Sequence, residues 1–394
     1  MSSPWTTVAL SEIATIRKGK KPGSMVSESV AAKPYLTADV LRGGDCIQFV
    51  PNAEASNCVE LKGTEVVVLW DGAGAGDVFP SREGILASTM ASVEVIKPDL
   101  LLPKFLQYVV AGQTHILKST CRGTTVPHVA PEVLQQLEIP VPPRRIQERI
   151  VDVMASVDTY IAGLEKQVAA ARTARNAVLH DLISSLSIDS PQVKLGDVLD
   201  ISRGGSPRPI DAFITDDDDG INWVKIGDAT ASSKYIYETK QKIRPDGARR
   251  SREVSPGDFL LSNSMSFGRP YIMRTTGCIH DGWLLLSGVS SHFDEDYLYN
   301  VLLSQDVQMQ FESLAAGSGV RNLNIGVVNS VTVPLPSRDE QKAVAEIANE
   351  IDSFVLNSEE TLAVVATARA AMVESLLSGV HQIPDSYDKF LGAA

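Results

Sequence analysis

Residues able to do covalent or metal chemistry are few and poorly grouped in this 394-residue chain. Gly72-Ala73-Gly74-Ala75-Gly76 is glycine-rich, but no Lys follows it to reach a phosphate, so it is not a P-loop. Glu60-Leu61-Lys62 matches the Glu-x-Lys half of a nuclease site, a pattern short enough to arise on any solvated strand edge. Asp216 to Asp219 before Gly220 looks like a calcium loop. With Gly220 as the sixth loop residue, however, Thr215 and Ile226 occupy the first and last positions, where carboxylates are needed. The histidines, His115, His128, His180, His280, His292 and His381, lack metal-ligand spacing. His280-Asp281 offers two members of a triad, but neighbours on a strand point to opposite faces. No Gly-x-Ser-x-Gly elbow, His-Glu-x-x-His pair or Asn/Asp-Pro-Pro-Tyr/Phe methyltransferase sequence occurs. A non-catalytic chain with no metal and no cofactor of its own is the expectation.

Binding chemistry is better represented. Arg17-Lys18-Gly19-Lys20-Lys21-Pro22 and Arg203-Gly204-Gly205-Ser206-Pro207-Arg208 are basic, Gly-bearing loops in which a glycine lets backbone approach a phosphate while the cations neutralise it. Arg122-Gly123-Thr124-Thr125-Val126-Pro127-His128 and Gly317-Ser318-Gly319-Val320-Arg321-Asn322 carry hydroxyl, amide and basic groups able to donate to phosphates or read base edges, with turn formation the competing reading. Between them, Trp70-Asp71-Gly72 stands against Asn263-Ser264-Met265, and Ala87-Ser88-Thr89 against Asp281-Gly282-Trp283. Different side chains on one scaffold are what two half-sites require, although Trp70 and Trp283 are equally suited to a core. The candidate binding set is therefore Arg17, Lys18, Lys20, Lys21, Trp70, Thr89, Arg122, Thr124, Thr125 and His128 in the first part of the chain. In the second it is Arg203, Ser206, Arg208, Asn263, Ser264, Trp283, Ser318, Arg321 and Asn322.

The elements that position these groups come in two copies. Val8, Leu10, Ile13, Ile16, Gly19 and Pro22 recur as Val193, Leu195, Val198, Ile201, Gly204 and Pro207, each displaced by 185 positions. Gly123, Val126, Pro140, Pro142, Arg144 and Gln147 recur as Gly317, Val320, Pro334, Pro336, Arg338 and Gln341, displaced by 194. The second copy thus carries an insertion, to which the Asp216–Asp219 loop is assigned. Each copy begins with short strands and turns, including Glu65–Trp70 and Asp258–Leu261, with one helix each over Pro103–Gly112 and Glu295–Leu314. Each then leaves through Pro-x-Pro into a long stretch nearly free of Pro and Gly. There Ile146, Ile150, Val153, Val157, Ile161, Leu164, Val168, Ala171, Val178 and Leu182 fall at three- and four-residue steps. Val344, Ile347, Ile351, Phe354, Leu362, Val365, Met372 and Leu376 do the same. Amphipathic helices of about 40 residues need a partner, and their matched lengths favour an antiparallel pair.

The predicted fold is α+β: two tandem mixed α/β globules separated by two long antiparallel coiled-coil helices, with a pseudo-two-fold internal repeat. Its boundaries are residues 1–143, 144–187, 188–337 and 338–379, followed by a tail, 380–394, whose Tyr387 and Phe390 either dock on the helices or hang free. The formal charge of −12 argues at first against a nucleic-acid reader. Half of it, however, comes from residues 338–394, with 4 basic and 10 acidic side chains, while residues 1–143 hold 12 and 14. Four scattered cysteines without a C-x-x-C pair predict a reduced, cytoplasmic chain, and neither a leader nor a membrane span is evident.

Two globules opening in Val-x-Leu-x-x-Val/Ile-x-x-Ile-x-Arg/Lys-Gly and closing in Pro-x-Pro-x-Arg-x-x-Gln resemble the DNA-specificity subunit of type I restriction-modification systems. Val193-Lys194-Leu195-Gly196-Asp197-Val198 and Val333-Pro334-Leu335-Pro336-Ser337-Arg338-Asp339-Glu340-Gln341 are the most specific stretches. The resemblance implies two target-recognition domains reading a bipartite sequence in double-stranded DNA, with the long helices as a spacer. It further implies two modification subunits bound to those helices and supplying S-adenosylmethionine-dependent adenine methylation, with restriction translocase subunits as further partners. The first closing motif departs from the pattern, having Arg144-Arg145-Ile146 before Gln147 instead of an acidic pair. Two other readings compete: a coiled-coil scaffold whose globules bind proteins, and a nuclease using Glu60 and Lys62.

Overall fold

The computed structural model describes residues 5–27, 30–123, 125–229, 234–263, 267–315 and 322–391. The chain divides into two compact units, residues 1–165 with 360–394, and residues 166–359. Two long helices, Arg144–Asp189 and Arg338–Leu377, each pass from one unit into the other, so each unit contains one globule and a portion of both helices.

In the first unit, one antiparallel sheet runs in the order Ala14–Lys18, Met90–Val95, Val66–Leu69, Val78–Pro80. A second sheet, Phe49–Pro51, Ala32–Leu36, Glu83–Leu86, Glu60–Lys62, has one parallel pairing, between Ala32–Leu36 and Glu83–Leu86. Val66, Val67 and Val68 are all buried, as expected of a strand covered on both faces. The second unit repeats the plan with five-stranded sheets. The first is Asp200–Arg203, Trp283–Ser287, Phe259–Ser262, Pro270–Met273, Tyr235–Ile236. The other includes Ile221–Val224 parallel to Gly277–Ile279.

The repeat appears as the same hydrogen bonds. Val8 pairs with Ile139 and Val193 with Val333. Leu10 N donates to Leu137 O at 3.0 Å, and Leu195 N to Val331 O at 2.9 Å. These two-stranded sheets close each globule where the long helix leaves it. There the amide of Gln147 is wholly buried, accepting from Leu102 N (2.8 Å) and donating to Leu100 O and Pro142 O (both 2.9 Å). Gln341 does the same with Asp294 N (2.7 Å), His292 O (3.1 Å) and Pro336 O (3.0 Å). The Pro-x-Pro-x-Arg-x-x-Gln motif is thus a socket: its glutamine ties the first turn of the helix to a loop of the globule.

Within the first unit, Ile150 and Met154 of the first long helix and Val373 and Leu376 of the second enter one core with Phe105, Leu106 and Val109. Within the second unit, Leu179, Ile183, Val344 and Ala348 join Phe259, Leu284 and Tyr297. The helices run antiparallel in the second unit, with Arg172 paired to Glu359 and Arg175 to Asp352. Val178, Ile347, Phe354 and Met372 of the expected seam are instead exposed, so the apolar pattern is wider than the helix contact. The helix expected over Glu295–Leu314 is two, Glu295–Leu303 and Gln305–Ala315, because Ser304 is extended (ψ 150°) and its hydroxyl accepts from Val307 N. The tail docks: Asp385 and Asp388 bind Arg149, and Tyr387 donates to Asp152 at 2.8 Å. Among the described residues no helix is long and apolar enough to cross a membrane.

Candidate nucleic-acid interface

In the first unit the strand Ala14–Lys18 ends where Gly19 N donates to Met90 O at 2.9 Å. A Cβ on Gly19 would lie 2.0 Å from Ala87 O. Gly204 is placed identically, donating to Trp283 O at 3.0 Å, with a Cβ 2.2 Å from His280 O. The structure thus corrects the reason for these glycines. They allow close passage of two backbone segments, while the phosphate-approach role gains no support from their buried or half-buried positions.

This crossing gathers the candidate side chains. Trp70 N and Asp71 N both donate to Thr89 O (2.8 and 3.1 Å), and Lys18 Nζ lies 2.7 Å from Asp71 and 5.9 Å from the Trp70 ring centre. The loop after Cys121 folds onto the same edge. Arg122 and His128 exchange backbone hydrogen bonds (2.9 and 2.8 Å), Gly72 N donates to Pro127 O (2.9 Å), and Val129 N to Trp70 O (2.9 Å). Lys18, Trp70, Thr89, Arg122 and His128 therefore share one edge of the unit. Thr125 is exposed in the same loop, and Lys20 and Lys21 are exposed beyond the crossing without an ion-pair partner among the described residues. Arg17 pairs with Glu94, and Arg122 with Glu132.

The corresponding edge of the second unit is built around Asp281. Its backbone carbonyl accepts from Arg203 Nε and Asn263 Nδ2, both at 3.0 Å. Its carboxylate accepts from Ser206 Oγ at 2.8 Å, lies 2.9 Å from His280 Nε2 and 3.6 Å from Arg208. Burial pushes this carboxyl upward, but the Ser206 hydroxyl and the His280 and Arg208 charges outweigh it and hold it below the usual aspartate value. The contact corrects the opposite-face argument, because the strand ends at Ile279 and His280-Asp281 lies in the following turn. His280 Nδ1 accepts from Gly282 N at 2.9 Å, so Nε2 faces the carboxylate.

Asn263 N donates to Gly282 O (3.0 Å), as Trp70 N does to Thr89 O. Ala87-Ser88-Thr89 therefore stands opposite His280-Asp281-Gly282, one residue away from the pairing expected from sequence. Trp283 consequently occupies the place of buried Met90. It is fully buried, edge-on to Tyr271 at 5.5 Å, and supports the edge from beneath. Asn263 is also buried, while Asn322 is half-buried beside the end of the central strand Phe259–Ser262, where Leu323 N donates to Asn263 O. Thr124, Ser264, Ser318 and Arg321 lie outside the described residues. Asp71 and Asp281 were not among the expected binding residues. Both come to the edge through contacts across loops, which leave no spacing signal in sequence.

Glu60 and Lys62 lie elsewhere, on an exposed edge strand where Glu60 pairs with Lys33. Asp216–Asp219 forms an exposed turn, with Gly220 N donating to Asp217 O.

Comparison with known proteins gives this arrangement a family. The model of the type I restriction modification DNA specificity domain matches twice, over residues 2–171 and 188–366. The chain is 26% identical to the specificity subunit of type I restriction enzyme MjaVIII of Methanocaldococcus jannaschii, across 95% of this chain and 92% of the relative. In fold it is similar to the type I restriction-modification S subunit from M. genitalium (TM-score 0.55, 16% identity, 95% and 96% of the two chains). It is also similar to a chain solved in connection with complex assembly and conformational transition of the type I R-M system (TM-score 0.62, 16% identity, 96% and 98%). The chain belongs to the DNA-specificity family of type I restriction-modification systems, carries that family's domain twice, and is a recognition subunit whose complex holds catalysis on other subunits.

Proposed function

We propose that the two edges described above read the two halves of a bipartite target in double-stranded DNA. The observation that carries this reading is one backbone scaffold with two chemistries. Equivalent crossings at Gly19 and Gly204 present Lys18, Trp70 and Asp71 in one unit and Arg203, Arg208 and the His280–Asp281 pair in the other. Base-edge readout needs side chains that differ between half-sites, whereas phosphate contact needs cations, supplied here by Lys20, Lys21, Arg203 and Arg208.

The partners proposed are two modification subunits, each carrying S-adenosylmethionine for adenine methylation, with restriction translocase subunits joining them. Exposed Tyr160 and Val364 in the first unit, and Phe354 and Leu356 in the second, are apolar side chains of the long helices suited to such contacts. Binding selection from a random duplex pool, using the chain assembled with its modification subunits, should enrich two short sequence blocks separated by a fixed unread spacer. Enrichment of no sequence would favour a protein-binding scaffold instead.

A further inference from the structure

We propose that a cleft in the second unit reads the Hoogsteen edge of a purine, with Gln241 and Lys225 as its specificity-determining residues; this rests on the half-site reading above. The cleft has a volume of about 700 Å³ and shares Ser206, Arg208 and His280 with the Asp281 cluster, so it is continuous with the candidate DNA-reading edge. Its inner wall is Trp223, almost fully buried and edge-on to His280, with ring centres 6.0 Å apart. Facing it, Lys225 Nζ donates to Gln241 Oε1 at 2.7 Å.

Both side chains are held in place. The Asp228 carboxylate accepts from Lys225 N (2.7 Å) and Lys240 N (3.2 Å), and Trp223 N donates to Gln241 O (2.9 Å). The ammonium fixes the orientation of the Gln241 amide. It leaves the Nε2 donors without a partner among the described residues and one Oε1 lone pair free. In the major groove only a purine offers the N7 acceptor that such a donor addresses. Adenine adds an amino donor for the free Oε1 lone pair, and guanine adds an O6 acceptor for the remaining ammonium protons. Arg208, 81% exposed at the rim and paired with Asp281 only at 3.6 Å, can share its charge with a backbone phosphate.

The first unit has different chemistry at the same places. Tyr35 pairs with Ile85 in the parallel register in which Trp223 pairs with Cys278, which sets Thr37 against Lys225. Thr37 Oγ1 caps a short helix by accepting from Val40 N, and the place of His280 is taken by buried Ala87. Among the described residues, the Lys225 and His280 chemistry of the cleft is therefore not repeated at the equivalent positions of the first unit.

The test is methylation-motif sequencing of cells expressing the chain with its modification subunits. The wild type should give a bipartite motif with a fixed purine in the half read by the second unit. Gln241→Ala should relax an adenine there, or Lys225→Met a guanine, with roughly tenfold or greater loss of discrimination at that position alone. The unchanged other half reports that the variant folds and assembles. Should a variant abolish methylation altogether, gel shifts of the wild-type complex decide: 7-deaza substitution of that purine should weaken binding about tenfold. Intact discrimination in both variants, or indifference to 7-deaza substitution, overturns the proposal. Absence of any bipartite motif in the wild type would instead overturn the half-site reading.

Discussion

At the scale of the residue, small side chains and buried amides do more positioning than the basic loops first indicate. Gly19 and Gly204 are legible in sequence as repeated loop glycines, but their reason is not, because it depends on carbonyls of Ala87 and His280 more than sixty residues away. Gly19→Ala and Gly204→Ala should each destabilise the chain by about 3 kcal/mol through forced displacement of a strand end, read as a lower midpoint in denaturant. Gln147 and Gln341 were likewise visible only as a repeated motif. Gln341→Leu leaves Asp294 N and two carbonyls without their buried partner and should cost about 3 kcal/mol, whereas a loss within about 0.5 kcal/mol would contradict the socket. His280-Asp281 was readable as a pair. Its turn was not, since nothing in the local sequence fixes where the strand ends.

At the scale of the element, the long helices announce themselves by periodicity, and the repeat even places their rungs. Asp158 binds Arg369 within the first unit and Asp352 binds Arg175 within the second, equivalent residues of the two copies with exchanged helices. Periodicity alone overstated the seam, because it marks apolar faces without saying what covers them. The tail was left open by sequence, since its docking relies on ion pairs across more than two hundred residues. Arg149, with a side chain 4% exposed, is held by Asp385 and Asp388. Hydrogen bonding to Arg149, and then to Arg145, outweighs burial and holds the Asp388 carboxyl down at about 2. Because that value lies below the ordinary aspartate range, the contribution to docking is complete above about pH 4 and is lost as the pH falls towards 2. Relative to a free peptide of the same tail sequence, pepsin cleavage at Phe390–Leu391 should therefore be slow at pH 4 and approach the peptide's rate towards pH 2. Arg149→Met should make it fast already at pH 4, and equal rates for the two proteins there would contradict the clamp.

At the scale of the whole molecule, the formal charge of −12 is a poor guide to binding, since candidate cations are interleaved with carboxylates that already pair with them: Lys18 with Asp71, Arg122 with Glu132, Arg208 with Asp281. Such exposed pairs are weak and can be shared with a phosphate. Lys20 and Lys21 stand outside them, so Lys20→Ala with Lys21→Ala should lower the salt dependence of DNA binding by the assembled complex by about two units of log–log slope. The duplicated organisation was legible because both copies keep their Gly, Pro and Gln anchors. The candidate edges were legible only as separate divergent segments, because the contacts that bring Asp71 and Asp281 to the basic loops run across loops. The most direct measurement is the methylome of cells expressing this chain with its modification subunits, with Lys18→Ala and His280→Ala variants beside it. A bipartite methylated motif is expected, in which the first variant weakens one half and the second weakens the other. Gain of no methylation, or both variants weakening the same half, would contradict it.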